Sequence, residues 1–127
     1  MAMMLNGRAY FQRRLREEIA RCRRYHDVFS VVTLQATPAP GFQPNQRVTE
    51  TAARLLERRL RTSDVVDAVD EETIAVVFTG TGKAGLADAE LRLRAALMRI
   101  GGSWRVNEYV FPEQAELIES LQILRAA

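Results

Sequence analysis

Leu60-Arg-Thr-Ser-Asp-Val-Val-Asp-Ala-Val-Asp-Glu-Glu-Thr-Ile-Ala-Val-Val-Phe78 is the stretch that decides the fold. Two short apolar runs, Val65–Val69 and Thr73–Thr79, are rich in β-branched residues. The polar turn Asp70-Glu71-Glu72 separates them, so the pattern predicts an antiparallel hairpin. Upstream, residues 46–61 carry Val48, Ala52, Leu55, Leu56 and Leu60 on one side of a helix. Before that helix, Thr37–Asn45 holds three of the four prolines and reads as a loop. Val28–Leu34 is another β-branched run of strand length. Residues 5–25 form an amphipathic helix with Phe11, Leu15, Ile19 and Cys22 inward and Asn6 as its cap.

Downstream of the hairpin, residues 83–100 repeat the helical pattern, with Leu86, Ala89, Leu93, Leu97 and Ile100 inward and Gly101-Gly102 as the stop. Trp104–Val110 supplies a fourth strand. Pro112 is placed to open a last helix with Leu117, Ile118, Leu121 and Leu124 on its apolar stripe. The order is α-βαββαβ-α. Its inner six elements have the ferredoxin-like split βαβ pattern. The expectation is an α+β fold: a four-stranded antiparallel sheet in the order 4-1-3-2, helices packed on it, and added N- and C-terminal helices. The whole of 1–127 reads as one domain.

Composition narrows the function classes. Hydrophobic residues make up 47% and charged residues 27%, a balance that supports a packed core. No apolar run is long enough to cross a bilayer, and the first residues carry no secretory pattern. Cys22 is the only cysteine and falls on the apolar side of its helix, so it reads as a core thiol in a reducing, cytoplasmic setting. The net charge is +2, with arginines 13, 14, 16, 21, 23 and 24 crowding the first helix. Glu17 and Glu18 interrupt that stripe, which argues for a solvated helix face over a nucleic-acid surface. Gly80-Thr-Gly-Lys83 lacks phosphate-loop spacing, with Ala84 where Ser or Thr is needed, and reads as a strand-to-helix turn. His26 has no partner at metal-ligand spacing. No serine sits in a nucleophile elbow.

Several of these segments together resemble the GGDEF (diguanylate cyclase) family. Leu5-Asn-Gly-Arg-Ala-Tyr-Phe11 with Glu18 and Arg21 is similar to its first helix, and Val31-Val-Thr-Leu-Gln35 to its first core strand. Leu60–Phe78 resembles the stretch from its RxxD motif through the signature hairpin, and Leu93-Arg-Ala-Ala-Leu97 the helix after it. The resemblance implies a nucleotide-cyclase-like fold, but the residues expected to perform catalysis are replaced. At the signature, Asp70, Glu71, Glu72, Thr73 and Ile74 stand where the family has two glycines followed by acids. The glycines let the backbone approach the nucleotide, which a side chain opposes. Glu72 keeps the metal-acid position. The second metal acid is replaced by Gln35, with Thr37 two residues on, so a two-metal site lacks one support. The guanine- and phosphate-binding segment is shortened and filled with prolines. The expectation is therefore no catalytic residues, no metal, no cofactor and no enzyme activity.

One family motif survives. Arg61-Thr-Ser-Asp64 lies five residues before the replaced signature, the position of the family's inhibitory site for cyclic di-GMP. An arginine fork can pair with guanine O6 and N7, and an aspartate can accept from guanine N1–H. The resemblance implies a further arginine, for which Arg92 and Arg94 are the candidates, with Glu90 near the expected place. The reading is an inactive GGDEF-like signalling domain that receives cyclic di-GMP. The alternative is a protein-interaction or dimerisation module without a nucleotide, working through the first helix or the loop Thr37–Asn45, where Phe42 is apolar.

Overall fold

The computed structural model describes residues 7–124. The cap expected at Asn6, and the start of the first helix at Leu5, lie outside the described residues. Helix α1 (Arg8–Tyr25) leads into strand β1 (Phe29–Ala36). Helix α2 (Gln46–Glu57) is followed by the hairpin β2 (Val65–Ala68) and β3 (Thr73–Thr79). Then come helix α3 (Lys83–Ile100), strand β4 (Trp104–Phe111), a short helix α4 (Ala115–Glu119) and a 3₁₀ turn at Gln122–Leu124. The strands form one sheet in the order β2-β3-β1-β4, as the hairpin and the split βαβ pattern predict. All pairings are antiparallel, with Phe29 opposite Thr79 and Phe111, and Gln35 opposite Thr73 and Arg105.

The central strands are buried on both faces, so they read as nearly continuous apolar runs. Alternate residues then divide between two cores. Val32, Leu34, Ile74, Val76 and Phe78 face α2 and α3, against Ala52, Ala53, Leu56, Leu86, Leu93 and Leu97. Phe29, Val31, Ala75, Val77 and Phe111 face α1 and the C-terminal segment, against Phe11, Leu15, Ile19, Cys22, Ile118 and Leu124. Phe29 and Phe111 stack with ring centroids 5.0 Å apart.

Two helices differ from expectation. Helix α2 ends at Glu57 and buries Thr49, Ala52, Ala53 and Leu56, whereas Leu55 is 39% exposed and Val48 only half-buried. The Thr49 hydroxyl donates to the Glu71 carbonyl at 2.7 Å, which turns the small residues of α2 onto the sheet. At the C-terminus, Pro112 follows a cis peptide and sits in a turn rather than opening a helix. Gln114 closes that turn: its amide donates to the Val110 carbonyl at 2.7 Å and its side-chain oxygen accepts from the Val110 amide at 2.8 Å. Helix α4 starts only afterwards, and Leu117 is exposed while Ile118 is buried.

The arginines of α1 are largely engaged by the chain itself. Arg8, Gln12 and Arg16, spaced four residues apart on one face, donate to the carbonyls of Gln122, Ile123 and Leu124 in turn. Arg23 pairs with Glu119, and Arg21 pairs with Glu18 and Asp27. Among the described residues no helix is long and apolar enough to cross a membrane.

Candidate functional site

The corner between α2 and β2 is built by the RxxD segment. Beyond Glu57 the helix tightens, with the Arg59 amide donating to Leu56 at 2.8 Å. Leu60 then packs on the core of the α2/α3 face. The chain reverses through a turn closed by the Asp64 amide and the Arg61 carbonyl at 3.0 Å. Asp64 is the hub of this corner, and its side chain is only 1% exposed. One carboxylate oxygen, Oδ2, accepts from the Arg61 amide at 3.0 Å and from Arg61 Nε at 3.3 Å. The other, Oδ1, accepts from Arg61 Nη2 at 3.1 Å and from the Thr79 amide at 3.3 Å. Nη2 of Arg61 also donates to the Thr79 carbonyl at 2.7 Å and to Thr81 Oγ1 at 3.0 Å. The arginine is thus fixed by bonds to its own motif and to the end of β3, while its side chain remains 47% exposed.

Beside this pair lies a cleft of about 410 Å³ lined by Tyr10, Arg14, Glu57, Leu60, Arg61 and Asp64, among others. Oε1 of Glu57 is itself buried behind the cleft wall without a hydrogen-bond partner. An unpaired buried acceptor costs free energy, so it marks a place where a donor is favoured. Tyr10, Arg14 and Glu57 were not singled out by the sequence. They come from α1 and the end of α2, and no spacing motif joins them to Arg61.

The structure brings Arg61 and Asp64 together and sets Arg94 elsewhere. Nε of Arg94 donates to Glu90 at 2.6 Å, and Glu90 is hydrogen-bonded to Glu108 on β4. Strand β4 is the edge opposite β2, so Arg94 lies across the sheet from the RxxD corner. Arg92 is exposed on the other flank of α3. Arg94 holds the Glu90 carboxyl below its ordinary value, helped by the bond from Glu108. Burial, and then Glu90, push the Glu108 carboxyl up.

The second locus is the hairpin turn. Gln35, Asp70, Glu71, Glu72 and Thr73 line an open depression of about 360 Å³. The turn is closed by the Glu72 amide on Asp70 Oδ1 at 2.9 Å. It is pinned from both sides, by Thr49 on the Glu71 carbonyl and by the Ala36 amide on the Glu72 carbonyl at 2.7 Å. None of Asp70, Glu71 and Glu72 has a positive φ, so this turn has a shape that does not call for glycine. Among the described residues no three His, Cys, Asp or Glu side chains are grouped to hold a metal ion.

The proline loop folds back on itself. Ala39 and Phe42 exchange backbone hydrogen bonds of 3.1 and 2.9 Å around Pro40 and Gly41, whose φ of 75° suits glycine. The loop is largely exposed, as the sequence predicts. Phe42 is half-buried, with its ring 5.8 Å from that of Trp104. A Cβ at Gly102 would stand 2.6 Å from the Phe42 ring, so Gly102 is what admits it. Gly80-Thr-Gly-Lys83 forms the turn from β3 into α3. Cys22 is 1% exposed, and burial pushes its thiol up to about 11.

No protein-family model matches the chain, and no curated protein sequence is similar to it. Solved structures are similar in fold. A diguanylate cyclase protein from Thermotoga maritima superposes with a TM-score of 0.74 at 18% identity, over 87% of this chain and 85% of that one. The GGDEF domain of DgcB from Caulobacter crescentus, solved with cyclic di-GMP, gives 0.66 at 15% identity, over 87% and 72%. The diguanylate cyclase SiaD from Pseudomonas aeruginosa, solved with its activator SiaC, gives 0.62 at 22% identity, over 84% of this chain but 45% of SiaD. The fold of this chain is that of the GGDEF diguanylate cyclase domains.

Proposed function

We propose that this chain is a signalling domain that binds cyclic di-GMP in the cleft beside Arg61 and does not synthesise it. The observation that carries the reading is the cleft itself, lined by a fixed arginine, a second arginine at Arg14, Tyr10 and Glu57. With Nε and Nη2 held by Asp64, Thr79 and Thr81, Arg61 would present Nη1 to the O6 and N7 edge of guanine. The Asp64 carboxylate is spent on Arg61 and Thr79, so its role is to aim the arginine. Glu57 lines the cleft, and a rotation of its side chain would bring the carboxylate to guanine N1–H and the amino group. Arg14, rather than Arg92 or Arg94, supplies the second positive charge toward a phosphate.

Loss of synthesis is supported at the other locus. Gln35 and Thr73, a facing pair on β1 and β3, are both uncharged where a cyclase would need carboxylates. Asp70 and Glu71 add negative charge to an exposed turn that would have to approach a triphosphate. Isothermal titration with cyclic di-GMP and with magnesium GTP, side by side, tests the proposal. The expected result is heat with cyclic di-GMP, lost in Arg61→Ala and weakened in Arg14→Ala, and no cyclic di-GMP formed from GTP. Absence of heat at micromolar protein and ligand, or binding untouched by both substitutions, would defeat it.

A further inference from the structure

Helix α3 is apolar on two sides. Leu86, Ala89, Leu93, Ala96 and Leu97 fill the sheet side. On the opposite side, Ala84, Ala87, Leu91, Ala95 and Met98 are all exposed. Their spacing of three and four residues aligns them in one stripe along the helix. Leu91 is 67% exposed and Met98 84%, the two most exposed large aliphatic side chains among the described residues. The small alanines between them would let another helix approach closely. A contiguous exposed apolar stripe with charged borders is the mark of an interaction surface.

The borders say what fits it. Seen along the stripe, Asp88 and Arg92 stand on one flank and Glu90 and Arg94 on the other. Each flank therefore carries an acid followed four residues later by an arginine, arranged around Leu91. A second copy packed in parallel would order each border Asp88, Glu90, Arg92, Arg94, with two like contacts to one opposite. A two-fold axis through Leu91, perpendicular to the helix, reverses the order. Asp88 of one copy then lies beside Arg92 of the other and Glu90 beside Arg94, while Arg92 meets Arg92 and Glu90 meets Glu90 near the axis, so each border holds two opposite contacts to one like. The offset is two residues, about 3 Å along the helix, well within the reach of arginine. Under the same axis Ala84 meets Met98 and Ala87 meets Ala95, a small residue against a large one at the ends.

We propose that α3 is a self-association surface on which two copies of this chain pack antiparallel across Leu91. This is an isologous contact, closed by one two-fold axis. It lies on a different face from the Arg61 cleft and does not depend on nucleotide binding.

Sedimentation equilibrium without nucleotide tests it, with circular dichroism confirming that each variant is folded. The native chain should show a concentration-dependent monomer–dimer equilibrium. Leu91→Glu, on the exposed side of the helix, should raise the dissociation constant at least about tenfold. The charge pattern gives a second, independent test. D88R/E90R, with basic borders, and R92E/R94E, with acidic borders, should each be monomeric alone and form a heterodimer when mixed. A native chain that stays monomeric to millimolar concentration, or charge variants that dimerise as well alone as mixed, would overturn the proposal.

Discussion

Glu108 and Glu90 meet beside β4, and a hydrogen bond between two carboxyl groups needs one of them to hold a proton. Arg94 decides which one. It keeps Glu90 ionised, while burial and the neighbouring charge of Glu90 raise Glu108. The native state thus binds a proton at Glu108 more readily than the unfolded chain, whose glutamates titrate near 4.5. The stability this protonation gives is complete below that value and is lost as pH rises through the higher native value. Glu108→Gln keeps a donor toward Glu90 without the titration. Its urea midpoint, relative to the native chain, should therefore rise as pH increases above about 4.5. Parallel pH profiles for the two proteins would contradict this.

Residue by residue, the sequence exposed motifs and concealed their partners. The R-x-x-D spacing was readable because it is local. That Asp64 would be consumed by Arg61 was not, because the geometry is set by Thr79 and Thr81 across the hairpin. Arg14 and Glu57 stayed hidden for the same reason: they share a cleft through tertiary packing of two helices distant in sequence.

At the scale of elements, the strands and α1 follow from pattern alone, because burial on both faces leaves long apolar runs and a clear stripe. Helix α2 shows where that reasoning fails. Val48 and Leu55 are the more apolar residues, but the helix instead turns Thr49 and Ala53 inward, because the Thr49 hydroxyl binds the hairpin turn at Glu71. The start of α2 is set by Asn45, whose side chain accepts from the Val48 amide at 2.9 Å. Asn45→Ala should cost about 1 kcal/mol of unfolding free energy, read from urea denaturation. Because α2 holds the turn through Thr49, the same substitution should speed hydrogen exchange in the Asp70–Glu72 amides as well as in α2.

For the whole molecule, one sheet separates two cores. Leu93 fills the core under α2 and α3, and Ile118 the core under α1. Both are nearly fully buried, at 2% and 0% exposure. Leu93→Ala and Ile118→Ala should each cost about 2–5 kcal/mol. The sheet keeps them out of contact, so the double variant should lose the sum to within about 0.5 kcal/mol. A clear shortfall or excess in urea denaturation would show that the two cores are coupled through the strands.

The sequence by itself determined the element order, the hairpin, the strand order and the residues of α1 that face inward. These depend on periodicity and on turn chemistry, which are local. It also showed the acidic turn Asp70–Glu72 and the uncharged Gln35, since residue identities are visible without coordinates. Only the tertiary structure decided that Asp64 is spent on aiming Arg61, that Arg14 and Glu57 share its cleft while Arg94 does not, and that Phe42 is packed on Trp104. Those outcomes depend on which side chains meet across the sheet and between helices. Such meetings are fixed by packing over distances that no spacing along the chain encodes.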